Sequence, residues 1–290
     1  MTVWAVVAHW GAPVATEATV ASLRHGTVVP DEVIVVDNQG GYASEGVRVI
    51  VPGQNVGFAG AIRLGGEAAL QGGAHWLWFL NNDVVVAEDC LARLVEAGSH
   101  RPHAALLTPL IEYGDGTLWY AGGTVDARTL RVAHITAPPA SDEPIVTGYA
   151  TGCAVLARAD YARSCGLPEA ELFMYYEDVE WSLRAVARGW EVVVVPAARA
   201  RHDVPRRRGR RVYSPAAVYY VTRNRLALAR RRRTSALALW PALEWGVRQW
   251  VKGALWHDGG RTRRALYAGL RDGLRGRGGP LPPELSGSLQ

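Results

Sequence analysis

Short apolar runs alternate with stretches of helical spacing along the first hundred residues. The apolar runs are six to eight residues long and rich in Val, Ile and Trp, as is typical of buried strands in a parallel sheet. Alternating strands and helices indicate an α/β, Rossmann-like fold, with a mostly parallel central sheet flanked by helices. The predicted strands are TVWAVVAH, EVIVVD, VRVIVP and HWLWFL, and the predicted helices cover residues 16–24, about 60–70, and 87–97.

Polar residues follow two of these strands at the point where each strand ends. Asp37 closes EVIVVD, and the run HWLWFLNNDVVV places Asn81, Asn82 and Asp83 between two apolar stretches. Asn and Asp are poor strand formers, so this placement indicates a function rather than packing. Ligands of such sheets bind beyond the carboxyl ends of the strands. We therefore expect both aspartates to face one ligand, and Asp83 to meet a metal-bound diphosphate.

The middle of the chain is less regular. Residues 109–144 contain YGDGT, AGGTVD and APPASDEP, which predict strand and turn segments that cross the active edge of the sheet. A small-residue loop, a strand and a short helix are predicted next, in GYATGCAVLARADYARSCG.

Three acidic residues, Glu177, Asp178 and Glu180, begin the following predicted helix. Acids in a first helical turn are ordinary partners of the helix dipole, which gives a purely structural role about equal weight. The apolar run LFMYY directly before them instead places the acids at the floor of a partly desolvated cleft. There the pKa of a carboxylate rises toward that of a useful base. Asp178 or Glu177 is therefore the candidate general base.

Composition bounds the class of protein. The 290 residues are 49% hydrophobic, which fits one large domain, or one domain with an appendage, around a sizeable core. The chain has no uninterrupted apolar stretch of spanning length, and its first residues look like a strand rather than a signal peptide. The three cysteines, Cys90, Cys153 and Cys165, lack C-x-x-C spacing. We therefore expect reduced thiols, no zinc site and a cytoplasmic protein.

The net charge of +5 hides a division along the chain. Residues 1–203 carry 13 arginines and 23 acidic residues, whereas residues 204–290 carry 18 arginines, one lysine and 4 acidic residues. Compositional bias explains the choice of Arg over Lys but not this segregation. The division predicts that the C-terminal part, residues 205–290, is a basic helical extension of a catalytic domain formed by residues 1–204. It also predicts an anionic partner for that extension.

The extension itself predicts two helices. Ser214 and Pro215 suit the start of the first helix, and residues 237–256 form the second, with Trp240, Leu243, Val247, Trp250 and Ala254 along one face. Interleaved Trp and basic residues favour peripheral binding at the inner face of a membrane. Packing of the same face on the catalytic domain, or on a second copy in a homo-oligomer, is equally compatible with the pattern. Nucleic acid is not expected, because no recognised binding motif accompanies the charge.

An ordered set of motifs resembles a known family. VVDNQG, NVGFAGA, LNNDV, TGCAVLARADYARSCG, LFMYYEDVEWSLRAVARG, RARH and YYVTRNRL occur in that order over about residues 3–230. Together they resemble the inverting nucleotide-sugar glycosyltransferases of family two, which have the GT-A fold, and in particular their rhamnosyltransferase-like branch. The resemblance implies a hexosyltransferase that moves a sugar from a UDP- or dTDP-linked donor, with dTDP-rhamnose favoured, to an acceptor hydroxyl.

The resemblance also implies roles for individual residues. Asp37 would bind the imide of the uracil or thymine base, and Asp178 would be the base that activates the acceptor. Asp83, the last position of the family's D-x-D motif, and His202 would bind Mg²⁺ or Mn²⁺ with the diphosphate. The remaining donor-binding positions would be Asn55, Gly57, Phe58, Gly60 and Asn82, where the missing glycine side chains allow close backbone approach.

Two motifs depart from the family pattern. Asn81 replaces the first acid of D-x-D, so weak metal affinity is predicted in the absence of donor. Arg63 and its neighbour Ile62 replace two asparagines. Arg63 would contact the phosphate or sugar of the donor, or would pair with Glu67 one helical turn later, and pairing is slightly favoured.

Two other classes of function are compatible with parts of the sequence. A nucleotidyltransferase-like α/β enzyme needs a basic, glycine-rich loop after the first strand, but this chain has HWGAPVATEA there. A catalytically idle, membrane-associated binding protein would not need Asp37, Asp83, Asp178 and His202 together. A dinucleotide oxidoreductase is disfavoured because no G-x-G-x-x-G follows the first strand.

Overall fold

The fold is built on a ten-stranded mixed sheet. The computed structural model describes residues 1–203, 213–255 and 259–282. The strands are β1 (Val3–His9), β2 (Glu32–Asp37), β3 (Arg48–Ile50), β4 (Trp76–Asn81), β5 (Val84–Val86), β6 (Ala104–Tyr113), β7 (Leu118–Tyr120), β8 (Gly123–Val125), β9 (Val132–His134), β10 (Ile145–Val146), β11 (Ala154–Arg158) and β12 (Glu191–His202). The helices are α1 (Pro13–Arg24), α2 (Gly57–Gln71), α3 (Cys90–His100), α4 (Ala159–Cys165), α5 (Glu177–Ala187), α6 (Pro215–Arg231), α7 (Ser235–Leu255) and α8 (Gly259–Arg275).

The strand order brings the ends of β1, β2 and β4 together. The main path of the sheet is β10-β12-β6-β11-β4-β1-β2-β3, with β5 paired to β12 and β7 to β6. Neighbours from β3 to β4 are parallel, as are β6 and β12, whereas β11 is antiparallel to both β4 and β6. The predicted α/β class, with a mostly parallel central sheet flanked by helices, is confirmed.

The apolar runs are buried on both faces of the sheet. In β1, Ala5 and Val7 pack into one core and Val6 into the other, because successive side chains of a strand point to opposite faces. Helices α1 and α3 contribute to the first core, and α2, α4 and α5 contribute to the second. Two covered faces explain why these strands are almost continuously apolar.

The sequence pattern missed the full extent of β6. Pro109 lies inside this ten-residue strand, and a proline normally argues against a strand interior. Its neighbour β12 has an irregularity between Val195 and Arg199, immediately after the pairing of Val195 with Pro109. The proline therefore lies next to a bulge, where a missing backbone donor is tolerated.

The C-terminal helices pack closely on one another. An added Cβ at Gly269 would lie 2.8 Å from the carbonyl oxygen of Tyr219, and one at Gly273 would lie 2.7 Å from that of Arg223. These two α8 glycines therefore allow α8 to approach the backbone of α6. Tyr219 and Tyr220 pack there with Phe173, which precedes the acidic pair of α5. The extension thus contacts the segment that carries the candidate base.

Helix α7 buries one face and exposes the other. The buried face consists of Ala238, Ala242, Gly246, Gln249 and Gly253, whose spacing matches a single helical face. The tryptophan-bearing face is different: Trp240 is 70% exposed, Val247 is exposed, and Trp250 is half-buried. Of the alternatives that the sequence left open for this face, packing on the rest of the chain does not apply to Trp240. Trp256, the predicted end of the helix, lies outside the described residues.

No helix in the described parts of the chain combines the length and the apolar character required to cross a bilayer.

Candidate functional site

A cavity of about 950 Å³ opens at the carboxyl ends of the central strands. Most of the predicted site residues line it, although they come from segments up to 147 positions apart in the chain. The strand ends contribute one wall, the start of α5 the floor, and α6 and α7 the opposite side. The predicted site residues that line the cavity are Asn55, Gly57, Phe58, Asn82, Asp83, Glu177, Asp178 and His202.

Asp37 does not line this cavity. One carboxylate oxygen accepts hydrogen bonds from the amides of Gln39 and Gly40, both at 2.9 Å, and the other accepts from the amide of Tyr42 at 2.8 Å. Burial acts to raise the pKa of Asp37, but these three backbone donors outweigh it and hold the pKa below its usual value. The side chain therefore fixes the turn after β2, and its contact with a nucleotide base stays a prediction.

Two asparagines shape the loop that enters α2. The side chain of Asn38 accepts from the Val56 amide at 3.0 Å and donates to the Gly57 carbonyl at 3.3 Å. The Asn55 side chain accepts from the Gly57 amide at 2.8 Å. Asn38 lines the cavity as well, and the sequence analysis did not select it. Its position directly after Asp37 was the available signal.

The glycines of this loop approach protein atoms. Gly57 has a φ of +73°, and a Cβ there would lie 2.3 Å from the carbonyl oxygen of Phe173. That carbonyl also accepts from the Ala59 amide at 3.0 Å. A Cβ at Gly60, which does not line the cavity, would lie 2.7 Å from the Cβ of Val56. The close approach predicted for a nucleotide is thus made here by the segment before the acidic pair.

Arg63 is not part of the cavity. Its Nε lies 2.9 Å from the Glu67 carboxylate on the exposed surface of α2. The i,i+4 pair that the sequence analysis slightly favoured is therefore present, and a contact of Arg63 with the donor stays a prediction. The Arg63 side chain points away from the sheet edge, because positions 63 and 67 share the outer face of the helix.

Asn82, Asp83 and His202 lie together at the sheet edge. The Asn82 amide donates to the carbonyl of Trp10 at 2.9 Å and to the hydroxyl of Thr16 at 3.1 Å. Asp83 Oδ1 lies 3.1 Å from His202 Nε2. Strand β12 brings His202 next to Asp83, because His202 pairs in register with Val84 of β5.

The Asp83 and His202 pair fits a divalent cation only in part. Adjacent ligands of an octahedral ion bound at about 2.0–2.1 Å are about 3 Å apart, which matches the observed separation. However, the described residues contain no group of three or more His, Cys, Asp or Glu side chains that would hold a metal. Nδ1 of His202 is buried without a hydrogen-bond partner in the described structure. A cation there would need further oxygen ligands from the substrate.

The segment before the acidic pair has an unusual backbone. Phe173, Tyr175 and Tyr176 have φ values of 62°, 68° and 70°. Non-glycine residues rarely adopt the left-handed region, and each such residue costs on the order of 1–3 kcal/mol where its conformation is strained. This run therefore requires support from neighbouring structure.

Helix α6 provides that support. The Asn224 side-chain nitrogen lies 2.8, 2.9 and 2.7 Å from the carbonyl oxygens of Leu172, Met174 and Tyr175. Arg223 donates to the Leu172 carbonyl at 2.9 Å. Both α6 side chains are fully buried. The motif YYVTRNRL belonged to the family resemblance without an assigned role, and the structure shows that two of its polar residues, Arg223 and Asn224, bind the turn before α5.

Glu177 and Asp178 lie side by side, but their surroundings differ. The Asp178 carboxylate accepts from the Gly152 amide at 3.0 Å and from the Val179 amide at 2.8 Å. Burial raises the pKa of Asp178, while these two donors oppose the rise. Burial and then repulsion by Asp178 raise the pKa of Glu177 much further, and its Oε2 has no partner in the described structure.

The different surroundings decide which of the two carboxyl groups ionises more readily. Backbone donors stabilise the ionised form of Asp178, whereas Glu177 gains nothing comparable. Asp178 therefore ionises more readily than Glu177, and its carboxylate is the better proton acceptor. The geometry thus favours Asp178 over Glu177 as a base.

The sequence analysis also missed the part of the cavity formed by β9, α6 and α7. Arg131, Arg225, Glu244, Trp245 and Arg248 line it. The sequence analysis predicted an anionic partner for the basic extension as a whole, but no local signal shows that a residue such as Arg225 points inward. The division into domains at residue 204 falls outside the described residues, and it stays a prediction.

A comparison with protein families gives one match that covers more than half of the chain. The model of glycosyl transferase family 2 matches residues 5–163. That range contains Asp37, Asn55 and Asp83, and it ends before Glu177, Asp178 and His202.

Curated relatives are similar at low identity. The N-acetylglucosaminyl-diphospho-decaprenol L-rhamnosyltransferase of Mycobacterium tuberculosis is 26% identical over 230 residues, which cover 67% of this chain and 73% of the relative. The dTDP-rhamnosyl transferase RfbF of Shigella flexneri is 24% identical over 219 residues, covering 71% and 73%. The chain is thus similar to two enzymes named for rhamnosyl transfer.

Solved structures confirm the predicted GT-A fold. GalNAc-T7 with UDP, GalNAc and Mn²⁺ superposes with a TM-score of 0.64 at 19% identity, covering 79% of this chain and 47% of that one. The chain therefore spans about half the length of that structure. Residues 1–349 of S. aureus TarS give a TM-score of 0.53 at 14% identity, covering 82% and 71%.

Proposed function

Because the chain belongs to glycosyl transferase family 2, we propose that it transfers a hexose from a UDP- or dTDP-linked donor to an acceptor hydroxyl with inversion. The observation that supports this most is that one cavity is lined by two groups of residues. The first group, at the edge of the sheet, is Asn38, Asn55 and Asp83, and the second is the Asp178 carboxylate. The first set provides polar contacts for a nucleotide diphosphate, and the second provides a proton acceptor. We favour dTDP-rhamnose as donor, because two relatives are named for rhamnosyl transfer.

In the proposed reaction, Asp178 accepts the proton of the acceptor hydroxyl as the oxygen attacks the anomeric carbon. The bond from that carbon to the diphosphate breaks, and the nucleoside diphosphate leaves with the electron pair. Attack from the face opposite the leaving group inverts the anomeric configuration. The amides of Gly152 and Val179 orient the Asp178 carboxylate and keep it ionised before transfer.

We propose that Asp83 and His202 hold Mg²⁺ or Mn²⁺ together with the donor. A divalent cation at this point would neutralise the charge that develops on the departing diphosphate. The 3.1 Å between the two side chains supports a shared ion, and the small number of protein ligands supports binding that depends on substrate phosphates. The structure of GalNAc-T7 that shares this fold contains UDP and Mn²⁺.

The experiment is a thermal-shift screen of UDP- and dTDP-sugars with Mn²⁺. A donor at 100 times its dissociation constant is expected to stabilise the folded protein by about 2.7 kcal/mol, if it binds only the folded state. A metal-dependent shift with one nucleotide class supports the proposal. If no nucleotide sugar shifts the melting temperature, with or without metal, the proposed donor is wrong.

A further inference from the structure

Arg225 is a buried arginine that lines the catalytic cavity. It is only 5% exposed, yet it forms part of the cavity wall. Its Nε and Nη2 donate to the carbonyl of Thr129 at 3.0 and 2.8 Å. No carboxylate in the described residues forms an ion pair with it. Buried charges are normally paired, so an unpaired guanidinium inside a cavity calls for an anionic ligand.

Two more arginines line the same part of the cavity. Arg131 and Arg248 both pair with Glu244, the latter at 2.7 Å. Three arginines and one glutamate therefore share this wall, which leaves an excess of positive charge. Arg131 and Arg248 are more than half exposed, so they form the rim around the buried guanidinium. An anion that reaches Arg225 would pass between them.

This cationic wall borders the acidic pair. Tyr176, which directly precedes α5, donates to the carbonyl of Leu130 at 2.9 Å, and the carbonyl of Thr129 next to it binds Arg225. The residues of this wall come from α6, α7 and the turn directly before β9, whereas proposed donor contacts come from the loops after β2 and β4. The positive charge thus lies next to the segment that contacts Tyr176, in elements separate from the loops after β2 and β4.

We infer that Arg225, flanked by Arg131 and Arg248, binds a phosphate or diphosphate group carried by the acceptor. This inference rests on the proposed function, because it assigns the second substrate of the same cavity. A planar guanidinium with one side fixed by Thr129 can present its remaining donors to a phosphate. The acceptor would then be a phosphorylated saccharide, held with its hydroxyl toward Asp178.

The first test is calorimetric titration of inorganic pyrophosphate in the presence of EDTA, with and without saturating UDP. EDTA removes any contribution of metal at Asp83 and His202. We expect pyrophosphate to bind in both conditions, and Arg225→Met to weaken that binding at least tenfold. Arg63→Met is the matched control, since Arg63 is an exposed arginine outside the cavity. Unchanged pyrophosphate binding in Arg225→Met overturns the inference.

A second variant, which is expected to strengthen pyrophosphate binding, keeps the inference testable if Arg225→Met fails to fold. Glu244→Gln removes the negative charge of the wall and releases both rim arginines, so pyrophosphate should bind several-fold more tightly. No change in that variant overturns the inference. If Arg225→Met weakens UDP binding and leaves pyrophosphate binding intact, the arginine serves the donor, and the assignment to the acceptor is wrong.

A final pair of outcomes identifies the source of the anion and distinguishes failure of this inference from failure of the proposed function. Phosphatidylglycerol vesicles offer phosphate only at a surface, which a 5% exposed arginine does not reach. Vesicle binding that depends on Arg225 would therefore overturn a cavity site. If no nucleotide binds under any condition but pyrophosphate binding still depends on Arg225, the proposed donor fails and the anion site stands.

Discussion

At the residue scale, the acidic pair shows how neighbouring groups of the same type acquire different properties. Asp178 receives two backbone donors, whereas Oε2 of Glu177 has no hydrogen-bond partner in the described structure. Sequence alone identified both acids as candidates, because an apolar run followed by carboxylates is a local pattern. It did not separate them, because the Gly152 amide lies 26 positions away and reaches Asp178 only through the fold.

A stability measurement tests the protonation of Glu177. Because the pKa of Glu177 is raised in the folded protein, folding takes up a proton. Its contribution to stability is most favourable at low pH and is lost as the pH rises toward the raised folded pKa. Glu177→Gln should therefore stabilise the protein most at neutral to alkaline pH and least at pH 4. Thermal melts from pH 4 to 8, with Glu17→Gln as the exposed control, measure this. A gain that does not grow with pH would contradict it.

The metal assignment belongs to the same scale. Asp83→Ala removes a proposed ligand and should abolish the Mn²⁺-dependent part of UDP or dTDP binding, while the melting temperature without ligand stays near that of the wild type. His202→Ala should have a similar but smaller effect. Calorimetry with Mn²⁺ and with EDTA measures both. Nucleotide affinity that is equal in Asp83→Ala and wild type, in the presence of Mn²⁺, would refute the assignment.

At the scale of elements, the sequence predicted the sheet and most helices but not how the extension meets the site. The apolar runs were sufficient to predict β1, β2 and β4, because a strand that is buried on both faces has a continuous apolar run in the local sequence. The role of α6 was not visible, because Asn224 and Arg223 act on carbonyls about 50 positions earlier. Part of the tail's positive charge is also used within the fold, as Arg231 pairs with Glu169 and Glu171.

The contact between α6 and the strained turn gives a prediction. Asn224→Asp keeps the shape of the side chain but removes the donors to three carbonyls, at a cost on the order of 2–4 kcal/mol. We expect the rate of transfer to fall more than nucleotide affinity does, because the turn positions Asp178. Arg230→Ala, an exposed change on the same helix, is the control.

Kinetics with separate kcat and KM distinguish positioning from stability alone. A folded Asn224→Asp protein whose kcat equals that of the wild type, below its melting range, would show that α6 supports the fold without positioning the base.

At the scale of the whole molecule, residues 1–203 are acidic and residues 204–290 are basic, and α7 in the basic part presents Trp240 to solvent. The described part of the chain does not cover this face, which leaves an anionic membrane or a second copy as its proposed partner. Trp and Arg together favour the membrane interface, where each arginine contributes about 1 kcal/mol. The basic segment of residues 204–212 lies outside the described residues.

Vesicle sedimentation tests the membrane proposal. We expect binding to phosphatidylglycerol vesicles that weakens as salt rises, since screening limits the attraction to about 8 Å at physiological ionic strength. Trp240→Ala should weaken it, whereas Val14→Ser, an exposed change on α1, should not. If vesicles bind neither protein, while light scattering shows a dimer that Trp240→Ala dissociates, the face joins two copies instead.

The central claim is inverting transfer with Asp178 as the base. It is tested most directly by ¹H NMR of the free sugar that forms when water, in place of the acceptor hydroxyl, attacks the donor identified in the screen. Early time points report the anomer before mutarotation. We predict that the wild-type protein with Mn²⁺ first forms the anomer opposite to that of the donor. Asp178→Asn should still bind nucleotide and form this product 10²–10⁴-fold more slowly. A first product with the donor's own anomeric configuration, or an equal rate in Asp178→Asn, would contradict the claim.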